Sequence, residues 1–178
     1  MHLLESDNFD QEALNHLDKT VCDWDLVWEI GPGIEKQNSL TISPNGERNL
    51  LKKAKDIIER APKLDNWEVY YSKQPKDNWH KAELVDILLE IDALNWKYVL
   101  YQYDDDKIEL VLKADTLSDV DKETKELGVD LVLTNLLGEK LKMEKVNYVD
   151  IVDEFDDDNG VTELKFLPAH LTDKRYVR

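Results

Sequence analysis

Between residues 38 and 72 the spacing of apolar side chains changes twice. Leu40 and Ile42 alternate with Ser39, Thr41 and Ser43, the two-residue period of a half-buried strand. Ser43-Pro44-Asn45-Gly46 then supplies turn formers. From Glu47 the apolar positions Leu50, Leu51, Ala54, Ile57, Ile58 and Ala61 recur at helical spacing, opposite Lys52, Lys53, Lys55, Asp56 and Glu59. Pro62 stops the helix, because a proline drives the residue before it out of the α region. Trp67, Val69 and Tyr71 then alternate with Glu68, Tyr70 and Ser72. The pattern predicts strand 38–43, helix 47–61 and strand 66–72. Such a connection joins parallel neighbours and lays its helix against one sheet face. Burying the helix's apolar side chains, at ~1–3 kcal/mol each, is the main local source of stability.

The same reasoning extends along the chain. Residues 7–19 predict a short amphipathic helix with Phe9, Ala13, Leu14 and Leu17 on one face and Ser6 or Asp7 as cap. Trp24, Leu26, Trp28 and Ile30 predict a strand, closed by Gly31-Pro32-Gly33, that pairs as a hairpin with the strand at Leu40. Residues 73–80 are polar, contain Pro75 and predict a loop. Residues 81–92 favour a helix, with a strand as the alternative for so dense an apolar run. Segments 96–103 and 107–113 predict a hairpin about Asp104-Asp105-Asp106. Ser118 with Asp121 opens a helix over 119–137, Gly138 stands where a left-handed cap is expected, and Gly128 weakens the middle. Residues 145–155 predict a strand, and Asn159-Gly160 turns the chain into a last segment at 161–167.

The two halves share an order. Strand 24–30, strand 38–43, helix 47–61 and strand 66–72 parallel strand 96–103, strand 107–113, helix 119–137 and strand 146–153. The expected fold class is α+β: a two-layer mixed sheet with helices on one face, and a tandem strand-strand-helix-strand pseudo-repeat as an option. The chain length suits a single domain over 1–178, with subunits 22–73 and 95–155 sharing one sheet.

Charge narrows the function classes. The formal net charge is −16, and it is spread out: residues 1–100 carry 19 acids against 12 bases, and residues 101–178 carry 20 against 11. Such a surface repels phosphate backbones and anionic membranes, so neither nucleic acid nor membrane is an expected partner. Solubility is the plainest reading of this charge; the sharper one is an acidic face that docks on a basic protein partner. Cys22 is the single cysteine, which leaves no disulfide framework and no multi-cysteine metal site. The acidic N-terminus does not read as a secretory signal, so a cytoplasmic location is expected.

No catalytic motif emerges. Histidines 2, 16, 80 and 170 are scattered, and HxxxH, CxxC, GxSxG and P-loop spacings do not occur. The acidic run Asp153 to Gly160 suggests calcium. Placing Gly160 at the sixth position of an EF-hand loop, however, puts Phe155 and Phe166 where oxygen ligands belong, so the run is read as turn acids. No metal and no cofactor is expected. The candidate binding residues are Trp79, an aromatic in a polar loop; His80 beside it; Glu29 near the Gly31 turn; and Glu139 after Gly138.

The segments Leu40-Thr41-Ile42-Ser43 with Asn45-Gly46, Ala61-Pro62, Trp67-Glu68-Val69 and Leu136-Leu137-Gly138-Glu139 together resemble a family of uncharacterised bacterial proteins. The resemblance spans about half of the chain, implies a bacterial cytoplasmic protein, and transfers no active-site residue. The leading expectation is a non-enzymatic binding or regulatory protein, inhibitor- or immunity-like, engaging a basic partner. The alternative is a small-molecule-binding domain or cryptic enzyme with a pocket between helices and sheet, near Glu29 or Glu139. A structural homo-oligomer is the third option.

Overall fold

The protein is represented by a computed structural model that describes residues 11–103, 106–157 and 159–172. The caps expected at Ser6 or Asp7, Phe9, turn residues Asp104 and Asp105, and Asp158 of the acidic run lie outside those residues. The fold is α+β and divides into two compact units, residues 1–73 and 74–178.

In the first unit, helix α1 (Gln11–Cys22) leads to strands β1 (Val27–Pro32) and β2 (Asn38–Ser43), helix α2 (Leu51–Ile58) and strand β3 (Trp67–Tyr70). The sheet order is β1-β2-β3. The first pair is antiparallel, with Trp28 opposite Ile42, and the second is parallel, with Leu40 opposite Val69. The helix expected over 47–61 is a 3-10 turn at Arg48–Leu50, then α2, then hydrogen bonds carrying the turn to Ala61. Val21, Leu26, Ile42 and Ala54 are fully buried, with Leu50, Ile57 and Ile58 packed against them. The expected spacing of α2's apolar face is therefore the spacing that faces the sheet.

β1 starts later than the Trp24 expected, because Asp25 adopts a positive φ of 60° and turns the chain between α1 and β1. The turn beyond β1 is built around Glu68. Its carboxylate accepts from the backbone N–H groups of Ile34 (2.6 Å), Glu35 (2.7 Å) and Lys36 (3.1 Å) and from the Tyr70 hydroxyl (2.8 Å). Gly33 is required there: a Cβ would stand 2.5 Å from the Lys36 carbonyl and 2.7 Å from Glu68 Oε2.

In the second unit, β4 (Lys81–Leu84) and β5 (Leu89–Asp92) form a hairpin, although the apolar spacing favours a helix. The reason lies in the flanks. Ala82-Glu83-Leu84 and Leu89-Glu90-Ile91 each alternate, and the apolar residues between them form the turn. Val85, Ile87 and Leu88 are exposed at its tip, and Leu88 is left-handed (φ 52°, ψ 38°).

Strands β6 (Lys97–Gln102) and β7 (Ile108–Lys113) pair antiparallel, as expected. Helix α3 (Lys122–Leu137) follows, capped by the Asp121 side chain on the Thr124 N–H, so Asp121 and not Ser118 is the cap. Helix α4 (Glu139–Lys145) was not foreseen, because its apolar Leu141 and Met143 lack helical spacing. β8 (Val146–Val152) then pairs parallel with β7; β9 (Thr162–Glu163) pairs with β6; and α5 (Leu167–Thr172) follows a 3-10 turn at Leu164–Phe166. The sheet order is β8-β7-β6-β9.

A Cβ at Gly128 of α3 would meet Ile91 Cδ1 and Leu117 Cδ1, each at 2.9 Å, so the glycine lets the helix pack closely. Gly138 has φ 74° and ψ 150°, a region open essentially to glycine alone and different from the left-handed cap expected. It closes α3 through its N–H on the Thr134 carbonyl (2.9 Å) and opens α4 through its own carbonyl.

The strand-strand-helix-strand order recurs with the same pairing directions. β1, β2, α2 and β3 correspond to β6, β7, α3 and β8: an antiparallel hairpin, then a helix, then a parallel third strand beside the second. The strands described belong to separate sheets, so 22–73 and 95–155 do not share one sheet as expected.

Candidate functional site

Alternation along β7 divides the larger sheet into two faces. Ile108, Leu110 and Leu112 point inward with Tyr98, against Val129, Val132, Leu133 and Leu136 of α3. Glu109, Val111 and Lys113 point the other way. Strand register turns that outer face into rows: Tyr101, Glu109 and Tyr148; Val99, Val111 and Asp150; Lys97, Lys113 and Val152. Tyr101 is 53 % exposed, Tyr148 58 % and Tyr103 49 %, which is unusual for three neighbouring aromatics on one face.

The acidic run borders this face. A groove of about 220 Å³ lies between Val99, Tyr101, Val111 and Val152 on the sheet and Phe155 in the run, and it carries the carboxylates of Asp150, Glu154, Asp156 and Asp157. Lys113 is neutralised from two sides, by Glu154 (2.9 Å) and Asp115 (3.5 Å). The hydrogen bond to Glu154 is the main cause that raises its pKa. The Tyr103 hydroxyl donates to Glu109 (2.8 Å), and that bond chiefly raises the phenol's pKa. The face therefore offers a cation flat aromatic rings next to carboxylates.

The four residues singled out from the sequence are not gathered here. Glu29 lies on β1 of the first unit, opposite Thr41. Trp79 is not the exposed contact residue expected: it is half-buried, packs against the core under α3, and meets the His80 ring edge-on at 5.6 Å. The His80 carbonyl accepts from the Ala93 N–H (2.8 Å), which ties it into the β4–β5 hairpin. Glu139 is 1 % exposed at the start of α4, and among the described residues no buried side-chain polar atom lacks a hydrogen bond, so its role is internal. Tyr101, Tyr103 and Tyr148 were missed. Their signal was parity: Tyr101 and Tyr148 fall on the outward side of β6 and β8, and Tyr103 continues the alternation just past the end of β6.

Other features compete less well. Tyr98 is buried, and its hydroxyl lies 2.6 Å from His170 Nδ1; burial raises the phenol's pKa strongly. The cavity near His170, lined by Leu100, Gln102 and Ile108, measures about 10 Å³, the size of a single water molecule and too small for a metabolite. In the first unit a shallow groove of about 590 Å³ runs along α2 between Trp24, Lys52, Lys53, Asp56 and Arg60. The Lys53 ammonium there is already engaged with the Trp24 carbonyl (2.7 Å). Among the described residues no group of three or more His, Cys, Asp or Glu side chains is arranged to hold a metal ion. No described helix is long and apolar enough to cross a membrane. No known protein family, curated protein or solved structure matches the chain.

Proposed function

We propose that the chain is a non-enzymatic binding or regulatory protein, of the inhibitor or immunity type, whose outer sheet face engages a basic segment of a partner protein. One observation carries this reading. Tyr101, Tyr103 and Tyr148 remain in solvent on a face whose groove holds four carboxylates and no base. Tyrosine supplies rigid contact area and cation–π attraction, while the carboxylates steer a cationic partner and fix its register. The small-molecule alternative gains less, because the cavity beneath the sheet holds no more than a water and the groove above it is lined by charge.

The test must separate this face from net charge, since any −16 chain attracts polycations. Fluorescence anisotropy with a lysine-rich peptide compares two triple variants that each remove three negative charges. One, D150N/E154Q/D156N, alters the face; the other, E12Q/D23N/D65N, alters exposed acids of the first unit. The face variant weakens binding about tenfold and the control about twofold or less. Equal losses from both would overturn the proposal.

A further inference from the structure

The partner's form is legible in the edge of the same sheet. β8 closes one side of it, pairing with β7 and, among the described residues, with no other strand. Its start is bulged, since Ile108 faces Val146 and Glu109 faces Tyr148, leaving Asn147 as the extra residue. From Tyr148 to Val152 the ladder is regular, so alternate N–H and C=O groups of this stretch aim away from the sheet. Exposed edges are commonly guarded by charge, lysine above all, by proline, by a bulge or by brevity. β1 ends in Gly31-Pro32, β3 has four residues and β9 two. β8, the longest of the described strands, is bulged only at its start and has neither lysine nor proline, so a single carboxylate, Asp150, guards its regular stretch from Tyr148 to Val152.

We infer that the basic segment binds as an added strand along β8, with a Lys or Arg at every second position over the outer face. This rests on the reading of that face given above. An added strand places alternate side chains on each face of the sheet. Those on the outer face continue the rows ending in Tyr148 and Asp150, where a lysine or arginine meets a ring and a carboxylate. Those on the other face lie alongside Val149 and Ile151 and favour apolar residues. Charge selects this occupant over a second copy of the chain: pairing β8 with β8 about a twofold axis brings the Asp150 carboxylates of both copies onto one face without a cation of their own strand between them.

The experiment uses the whole protein and short synthetic peptides alternating lysine and valine. Two further peptides carry N-methyl groups on alternate residues, one set on the lysines and the other on the valines. Only one set of N–H groups points at β8, so one N-methylated peptide binds at least about tenfold more weakly while the other stays within about twofold. A peptide of the same composition with lysines at helical spacing also loses about tenfold. If both N-methylated peptides bind like the parent, strand addition is overturned while the basic-partner reading stands. If no peptide binds, or if D150N/E154Q/D156N leaves binding intact, that reading falls as well. Sedimentation of the protein alone supplies the remaining outcome: a dimer that the peptide dissociates assigns β8 to a second copy and overturns the proposal.

Discussion

The two strand-strand-helix-strand units share pairing directions and differ in how much they bury. Around β2 and α2 the fully buried apolar residues are Val21, Leu26, Ile42 and Ala54. Around β7 and α3 the described residues include a far larger buried set, running from Ile91 to Leu167, and Val132 to Leu137 of α3 are buried without a break. The charge differs as well. Residues 1–73 carry 14 acids and 9 bases, and residues 74–178 carry 25 and 14. A common topology thus comes in two forms: a thin core held in part by a carboxylate clamp, and a thick core whose sheet leaves tyrosines and carboxylates exposed on its outer face.

The contrast is open to direct attack. Leu110→Ala, at a position with no exposure, is expected to cost about 2–5 kcal/mol in urea unfolding. Hydrogen exchange should show that loss at β7 amides and not at β2, and wild-type β7 should outlast β2; equal protection in both strands would mean one cooperative body. Gly138→Ala forces a side chain into a backbone region reserved for glycine, at about 1–3 kcal/mol, and its effect belongs to the second unit. Gly33→Ala drives a methyl against the Lys36 carbonyl, costs about 1–3 kcal/mol, and belongs to the first.

A smaller effect separates the units by pH. Desolvation pushes the Glu68 carboxyl up, but the N–H groups of Glu35, Ile34 and Lys36 and the Tyr70 hydroxyl together outweigh it and hold the pKa below the ordinary 4.5. The folded value is depressed, so the clamp's contribution is complete above the ordinary carboxylate value and lost as pH falls through the folded one. Amide protection at 34–36 should fade in acid, and Glu68→Gln should flatten that dependence. Burial, and then the Glu68 partner, raise Tyr70 to about 12, so its phenol stays protonated across the window. The smallest change is Lys55→Ala, which removes an exposed pair with Glu59 at 3.7 Å and should shift stability by no more than about 0.5 kcal/mol.

Periodicity served well wherever one face of an element is apolar and the other is wet. α2 and the β6–β7 hairpin were legible for that reason, and so was the recurrence of the unit. It failed at 81–92, where apolar residues occupy a turn, and at α4, whose seven residues are too few to display a period. The candidate face was half legible. The alternation of Glu109, Val111 and Lys113 was readable, but Tyr101 and Tyr148 become neighbours of Glu109 only through pairings between distant segments. Trp79 was misjudged for the converse reason: its sequence neighbours are polar, but its spatial neighbours are the core under α3.

Leu88 sets the fold against itself. Left-handed backbone suits glycine or asparagine, and a leucine 80 % exposed gains little from its side chain in return. Asparagine there would relieve both the conformational and the hydration penalty, and would leave the hairpin tip less adhesive between molecules at high concentration. A single exchange at this turn is thus expected to improve solubility without disturbing the core beneath it.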